Sequence, residues 1–225
     1  MTSPSPSSGQ PQDQTTCQRC GTCCRKGGPT LHAEERELVE QGVIPLADLF
    51  TIRQGEMAFD NVRDQLVPVN RDHIKIRGRA DTWTCRYFDD EQKGCTIYDQ
   101  RPLECRILKC WDTHEIERIY GRDLLSRSDL LGGIDGLWDL VSDHQNRCNY
   151  GNARELIRRL DADKHGRARQ ELLEMVQYDI EIRRLVTRSG SVGDGILDFI
   201  LGRPMSGLLK AEGLNLQPRL EKTGE

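Results

Sequence analysis

Eight of the nine cysteines fall between Cys17 and Cys110, and only Cys148 lies beyond them. Four of the eight are crowded into "CQRCGTCC": Cys17, Cys20, Cys23 and Cys24. A thiol at every third residue lets one loop offer several sulfurs to a metal. Gly21 relieves the backbone between them, and loop N–H groups there can point at sulfur. The run C-x-x-C-x-x-C is closer to those that feed iron–sulfur clusters than to a zinc finger, which shows a second short pair at a defined distance. The adjacent pair Cys23–Cys24 sharpens the question. Neighbouring side chains diverge, so a single ion rarely takes both; the pair serves two metals or a cluster, or one member has another duty.

The remaining thiols are spread out. Cys85 and Cys95 are expected to face each other across a hairpin in "WTCRYFDDEQKGCTIYD", with Asp89, Asp90 and Glu91 at its tip and not a catalytic carboxylate pair. Cys105 and Cys110 are five residues apart in sequence. On a regular helix of 3.6 residues per turn that separates their directions by about 140°. They therefore share a centre only if the helix ends between them, at Cys110–Trp111; otherwise they serve different centres. The candidate metal ligands are Cys17, Cys20, Cys23, Cys24, Cys85, Cys95, Cys105 and Cys110, enough for two four-coordinate sites or for one cluster with spare thiols. Any single one of the last four could instead be a buried small hydrophobe. The N-terminal four could not, because their polar surroundings offer no apolar face to fill.

Other reactive residues read more plainly. Tyr98, Arg101 and Arg106 could offset thiolate charge or hold a carboxylate or phosphate, but tying the hairpin to the following helix is the commoner duty beside a metal. His144 and Cys148 have the i, i+4 spacing of a chelating pair, yet Cys148 lies on an apolar stripe and reads as a core residue. His32, His73, His114 and His165 sit in polar stretches and are expected to be exposed. No glycine-rich nucleotide loop and no nucleophilic triad is present, so the residues alone assign no catalytic group.

Composition bounds the rest. The 225 residues suit one domain, or one with a helical extension, around a modest aliphatic core (36% hydrophobic). Lys plus Arg number 32 against 36 Asp plus Glu, net −4 with both signs interspersed, which excludes a general nucleic-acid binder. No apolar run approaches the roughly 20 residues of a membrane span. "MTSPSPSSGQPQDQTT" lacks the basic and apolar regions of a secretory signal, so a cytoplasmic protein is expected. In a reducing compartment clustered thiols bind metal or do redox chemistry more readily than they form disulfides, and an odd cysteine count fits a closed disulfide framework poorly.

The elements that must position these residues are short. "HAEERELVEQG" reads as an amphipathic helix with Leu38 and Val39 inward and Gly42 as its stop. "IPLADLF" reads as another turn or two of helix, entered through Pro45. "TIRQGEMAF" and "LVPVN…HIKIRG" carry β-branched residues in partial alternation, as short strands do. "RPLECRILKC" opens a helix at Pro102. Beyond about residue 112 the pattern is helical: Ile134, Leu137, Trp138, Val141 and Cys148 on one face, Asn152 as an N-cap, a long helix in "RARQELLEMVQYDIEIRRLVTRSG" ended by Gly190, and "DGILDFILG" stopped by Gly202. The expectation is an α+β chain: a tail over 1–16, a small cysteine-rich metal-binding half with short strands and a hairpin over 17–111, a mainly α-helical half over 112–213, and a tail over 214–225.

The combination Cys17, Cys20, Gly21, Cys23, Cys24, then Cys85, then Gly94, Cys95, Ile97, Tyr98, Arg101, Pro102, Cys105, Arg106 and Cys110 resembles the CxxCxxCC cysteine-cluster family of zinc- or iron-chelating domains, often called the YkgJ family. The resemblance covers about residues 17 to 111 and implies metal or cluster binding. Flagellin lysine methylases carry a similar cluster, which that family view associates with an iron–sulfur centre and methyl transfer from S-adenosylmethionine; the rest of such a methylase is not seen in this chain. The leading expectation is an iron–sulfur (4Fe–4S type) protein with a redox or cluster-dependent role. The alternatives are a structural zinc module that binds a partner and a cluster-dependent methyltransferase-like enzyme. The partner, a protein or a small molecule, is not specified.

Overall fold

The computed structural model describes residues 15–79, 82–188 and 193–214. Three two-stranded antiparallel pairs build the first half. β1 (Leu49–Ile52) pairs with β4 (His73–Ile76), Leu49 opposite Ile76. β2 (Met57–Asp60) and β3 (Gln65–Pro68) form a hairpin, as do β5 (Phe88–Asp89) and β6 (Gly94–Cys95). The alternation expected in "TIRQ" and "HIKI" is the reason β1 and β4 pair: Leu49, Ile74 and Ile76 turn to the core while His73 and Lys75 turn away. Each such side chain, fully buried, contributes about 1.5–3 kcal/mol.

The helices are α1 (Thr22–Arg25), α2 (Arg36–Glu40), α3 (Leu103–Ile107), α4 (His114–Ile119), α5 (Arg127–Leu131), α6 (Leu137–Arg147), α7 (Tyr150–Arg159), α8 (Arg167–Arg188), α9 (Leu197–Ile200) and α10 (Met205–Ala211). The chain is therefore short strand pairs first and mostly helices afterwards, as its sequence pattern predicts. One core gathers Leu31, Ile44, Leu49, Ile74, Ile76 and Phe88 with Leu125, Leu131, Val141, Phe199 and Ile200, so residues on both sides of position 112 fill it. Thr51 fixes this junction by donating from its hydroxyl to the Phe199 carbonyl, 2.7 Å away. A second core lies among α7, α8 and α10, around Tyr150, Ala153, Leu172, Val176, Met205 and Leu209.

Local chemistry moved several boundaries. "IPLADLF" gives one 3-10 turn, Leu46–Asp48, before β1 takes over at Leu49. α7 is capped by Asn149, whose side chain accepts from the Asn152 N–H at 3.0 Å; the expected cap, Asn152, is the donor because buried Tyr150 is already helical. Ile134 is 51% exposed, since α6 begins only after Gly136 and the residue sits in the preceding turn, off the buried stripe. Gly190, the expected end of α8, lies outside the described residues. Gly202 ends the segment after α9 as expected, with φ 71°; a Cβ there would stand 2.6 Å from the Arg53 Cγ.

Candidate metal centre

The N-terminal thiols ride on a loop and a single helical turn. Gly21 takes φ 74° and lies so close to the Phe88 ring that a Cβ would stand 2.1 Å from it. Only glycine lets this loop press flat on the β5–β6 hairpin. Arg25 clamps the same junction: it donates to the Cys20 carbonyl at 2.9 Å, pairs with Asp90 at 3.2 Å and lies over the Phe88 ring. Arg19 and Arg101 both stack on Tyr98, at 4.2 and 3.9 Å from its centre, which joins the Cys17–Cys20 loop to the segment leading into α3. The Cys17 sulfur accepts from the Arg19 N–H at 3.4 Å.

The adjacent pair is resolved by α1. Cys23 is exposed and Cys24 half-buried against the core, yet their sulfurs lie 3.9 Å apart. Hydrogen bonding from Cys24 brings the Cys23 thiol down to about 6, while the same contact, burial and the charge of Cys23 push Cys24 up. Cys20, bonded to the Thr22 hydroxyl at 3.2 Å, is also lowered.

The downstream thiols meet this turn. The Cys85 N–H donates to the Cys24 carbonyl at 2.7 Å, and Cys85 is buried. The hairpin is shorter than expected: the Phe88 N–H closes a turn on the Cys85 carbonyl, so Cys95 pairs with Phe88 and Cys85 bridges Gly78. Cys105 sits on α3. That helix ends at Ile107, ahead of the expected end at Cys110–Trp111, and exposed Cys110 follows in the next turn. Burial pushes Cys85, Cys95 and Cys105 up, and charge on neighbouring sulfurs adds to it. Cys85 is raised by Cys95 and Cys23, Cys95 by Cys23, and Cys105 by Cys85, Cys95 and Cys23. Cys24 is raised in turn by Cys85 and Cys105. Cys23, Cys24, Cys85, Cys95 and Cys105 thus form one mutually repelling group drawn from three chain segments. Cys105 is exposed.

A buried polar network backs this group, and no sequence spacing signalled it. Glu104, the neighbour of Cys105, accepts from the Thr30 N–H at 2.8 Å and lies 3.6 Å from the His32 Nε2. Glu35 accepts from the N–H groups of His32 and Leu103, at 2.7 and 2.8 Å. His32 is therefore buried, at 2% exposure, and His73 is partly buried, where both were expected at the surface; polar neighbours in sequence belong here to an interior network. His114 and His165 are exposed. Arg106 pairs with Glu34 and Arg101 donates to the Tyr98 carbonyl at 2.8 Å, so both have structural partners.

Among the described residues, the one set of three His, Cys, Asp or Glu ligand atoms within 4.8 Å of one another is His144, Cys148 and Asp179, all buried. Its partners argue against a cation. His144 Nε2 is bonded to Asp179 at 2.8 Å, and the Asp179 carboxylate also accepts from Arg183 at 3.0 Å and from the Met205 N–H at 2.9 Å. The Arg53 guanidinium lies 3.4 Å from His144 Nδ1. Burial would raise Asp179, but its bonds from His144 and Arg183 hold it low; burial pushes His144 down and Cys148 up to about 12. Two guanidiniums fill the place of a cation, and Cys148 donates to the Met175 carbonyl at 3.5 Å as a core thiol.

A cleft of about 320 Å³ also opens between the Asn70–Asp72 segment that precedes β4 and α5–α6. Its buried Arg127 is satisfied by Asp72, the Ile200 carbonyl and Gln145.

Thiolate ligands of this kind select zinc or iron–sulfur centres over harder metals. The comparison with known families points the same way: residues 16–122 match the CxxCxxCC family, described as a "Putative zinc- or iron-chelating domain". No curated protein and no solved structure matches the chain. No helix among the described residues is long and apolar enough to cross a membrane.

Proposed function

We propose that the chain holds an iron–sulfur cluster through Cys17, Cys20, Cys23 and Cys24 together with Cys85, Cys95, Cys105 and Cys110, and acts in a redox or cluster-dependent process in the reducing cytoplasm. The observation that carries this reading is the meeting of distant thiol-bearing segments: the Cys23 and Cys24 sulfurs lie 3.9 Å apart, and the Cys85 N–H donates to the Cys24 carbonyl at 2.7 Å. Sulfurs gathered at mutual electrostatic cost fit a cationic centre.

The donor set fits the group. Thiolates select iron–sulfur clusters or zinc over harder metals. Four thiolates suffice for a tetrahedral zinc and for a cluster alike, so it is the repeated three-residue interval and the adjacent pair Cys23–Cys24 that favour a cluster. When bound, the cluster supplies one-electron chemistry. The chain's own residues do the rest. Cys23, lowered by its contact with Cys24, gives up its proton most readily, and Cys24, Cys85, Cys95 and Cys105 release theirs on loading. The Gly21–Phe88 contact and the Arg25–Asp90 pair hold the two thiol-bearing segments together.

Purification without oxygen is expected to give a brown protein with sulfide-to-iron absorption and acid-labile sulfide matching its iron. A colourless protein that carries only zinc would refute the cluster. That outcome is the second reading, a structural zinc module, which the packing of Cys24 and Cys85 in the main core favours, because a metal there would staple two distant segments.

A further inference from the structure

Two guanidiniums are sealed in the interior beside the cleft of about 320 Å³, Arg53 at 0% exposure and Arg127 at 2%. A buried charge is costly unless an opposite one meets it. Arg127 has such a partner, the Asp72 carboxylate 2.6 Å from its Nε. Arg53 has none among the described residues. Its contacts are His144 Nδ1 and Gln145 Oε1, both at 3.4 Å, the Met205 sulfur at 3.2 Å and the face of Tyr150, and its Nε has no hydrogen-bond partner. Asp179 and Glu56, which belong to the same interior, each serve another arginine, Arg183 and Arg203.

Gln145 joins the two guanidiniums and lines the cleft. Its Oε1 accepts from Arg53 and from Arg127, the latter at 3.1 Å, so the amide oxygen is turned inward and the NH2 end of the same plane is left for the cleft. Arg127 also lines the cleft, and its bonds to Asp72, the Ile200 carbonyl and Gln145 give each of its nitrogens one partner. A guanidinium carries five N–H groups, so two remain. The inner end of the cleft is therefore built of donors. Ser142 adds a hydroxyl from the same face of α6, while Trp138 and Val141 supply an apolar wall. Arg71 is exposed at the rim, where solvent screens its charge. Two buried positive charges stand against the single negative charge of Asp72, so one further negative charge balances the site. A phosphate dianion would place one too many beside Asp72.

We propose that the cleft binds a small organic carboxylate, its head group on Arg127 and Gln145 and its apolar body against Trp138 and Val141. The volume is at the lower end of that of ligand pockets, which suits a molecule of about the size of benzoate. Among the described residues no cysteine lines the cleft, so this site stands whether the thiols hold a cluster, zinc or no metal.

The test is titration of the full chain with sodium benzoate at constant ionic strength. Trp83→Phe and Trp111→Phe, at exposed positions, leave Trp138 as the one tryptophan, so its emission reports the cleft. A saturable change is expected with benzoate, and binding at least about tenfold weaker with benzyl alcohol, which keeps the body and lacks the charge. Gln145→Glu supplies the missing negative charge from within. It is expected to weaken benzoate at least about tenfold while its denaturant midpoint is no lower than that of the parent. If that variant does not fold, Ser142→Leu, which fills the cleft from the same helix face, is expected to block benzoate instead. The absence of a saturable response to benzoate in the parent overturns the inference. So do equal binding of benzyl alcohol, undiminished binding by a folded Gln145→Glu or Ser142→Leu, and displacement of benzoate by inorganic phosphate at lower concentration, which would mark a phosphate site.

Discussion

Two groups in this molecule bring metal-capable side chains together, and they differ in what surrounds them. His144, Cys148 and Asp179 are the tighter set, all within 4.8 Å and wholly buried. Yet every strong acceptor there is taken, by Arg183, the Met205 N–H and the histidine itself, and Arg53 stands against the ring. The thiols around Cys24 and Cys85 range from exposed Cys23 and Cys105 to buried Cys85, and they raise one another's pKa. Proximity of ligand types is therefore a poor guide by itself. The satisfied group ties α6, α8 and α10 together; the unsatisfied one is suited to a cation from outside.

The largest effect expected from this contrast is on stability. Asp179→Ala leaves His144, Arg183 and the Met205 N–H without their shared acceptor in a buried site. Removing one partner from such a network costs about 3–5 kcal/mol. Denaturant unfolding of the variant should show that loss, while metal content per folded chain stays at the parent value. Loss of metal without loss of stability would reverse the roles assigned to the two groups.

The complementary change acts on the other group. Cys105→Ser, or Cys20→Ser, should release the bound metal on gel filtration while the metal-free chain unfolds within about 1 kcal/mol of the parent, as exposed positions do. Cys148→Ser should keep the metal and cost stability, by roughly 1–3 kcal/mol for a hydroxyl placed in a core. Elemental analysis and unfolding curves of the three variants give the comparison directly.

Gly21→Ala tests how the thiol loop is seated. Its φ of 74° and the Phe88 ring 2.1 Å from an added Cβ leave no room for a methyl group. A left-handed non-glycine residue costs roughly 1–2 kcal/mol before any clash, and the loop must lift from the ring. The expected outcome is a metal affinity reduced about tenfold with the helical half unchanged by circular dichroism, since only the loop moves.

What could be read beforehand follows the range of each interaction. The cysteine spacing, the short strands in "TIRQGEMAF" and "HIKIRG" and the helical second half are local or periodic, and they were legible; which strands pair was not. The Lys75–Thr30–Glu104–His32 network was not. Its residues come from three segments, the Thr30 to Glu104 bond alone spanning 74 positions, and none carries a periodic mark. The i, i+4 pair His144 and Cys148 was visible, but Asp179 and the arginines that decide its meaning come from elsewhere in the fold. Asn152 was preferred to Asn149 as a cap because both are suitable residue types, and only the buried Tyr150 fixes where the helix starts.

The smallest effect distinguishes the two regions through their histidines. His144 is pushed down from its ordinary 6.5, mainly by burial. The unfolded chain then binds the proton more readily than the folded one, so this residue costs stability as pH falls through and below 6.5. His32 is shifted the other way: burial opposes its charge, but Glu104 and Glu35 outweigh it and raise the value. It therefore adds stability that is complete below 6.5 and is lost as pH rises through its higher folded value. The two slopes oppose each other and partly cancel in the parent chain. Replacing His144 by Gln should leave a metal-free protein whose stability falls less steeply on mild acidification, while His32→Gln should steepen that fall. Unfolding of the metal-free variants between acid and neutral pH checks both signs. Slopes that moved in the same direction would mean that the interior behind the thiols and the interior of the helical half share one electrostatic character, contrary to the distinction drawn between them.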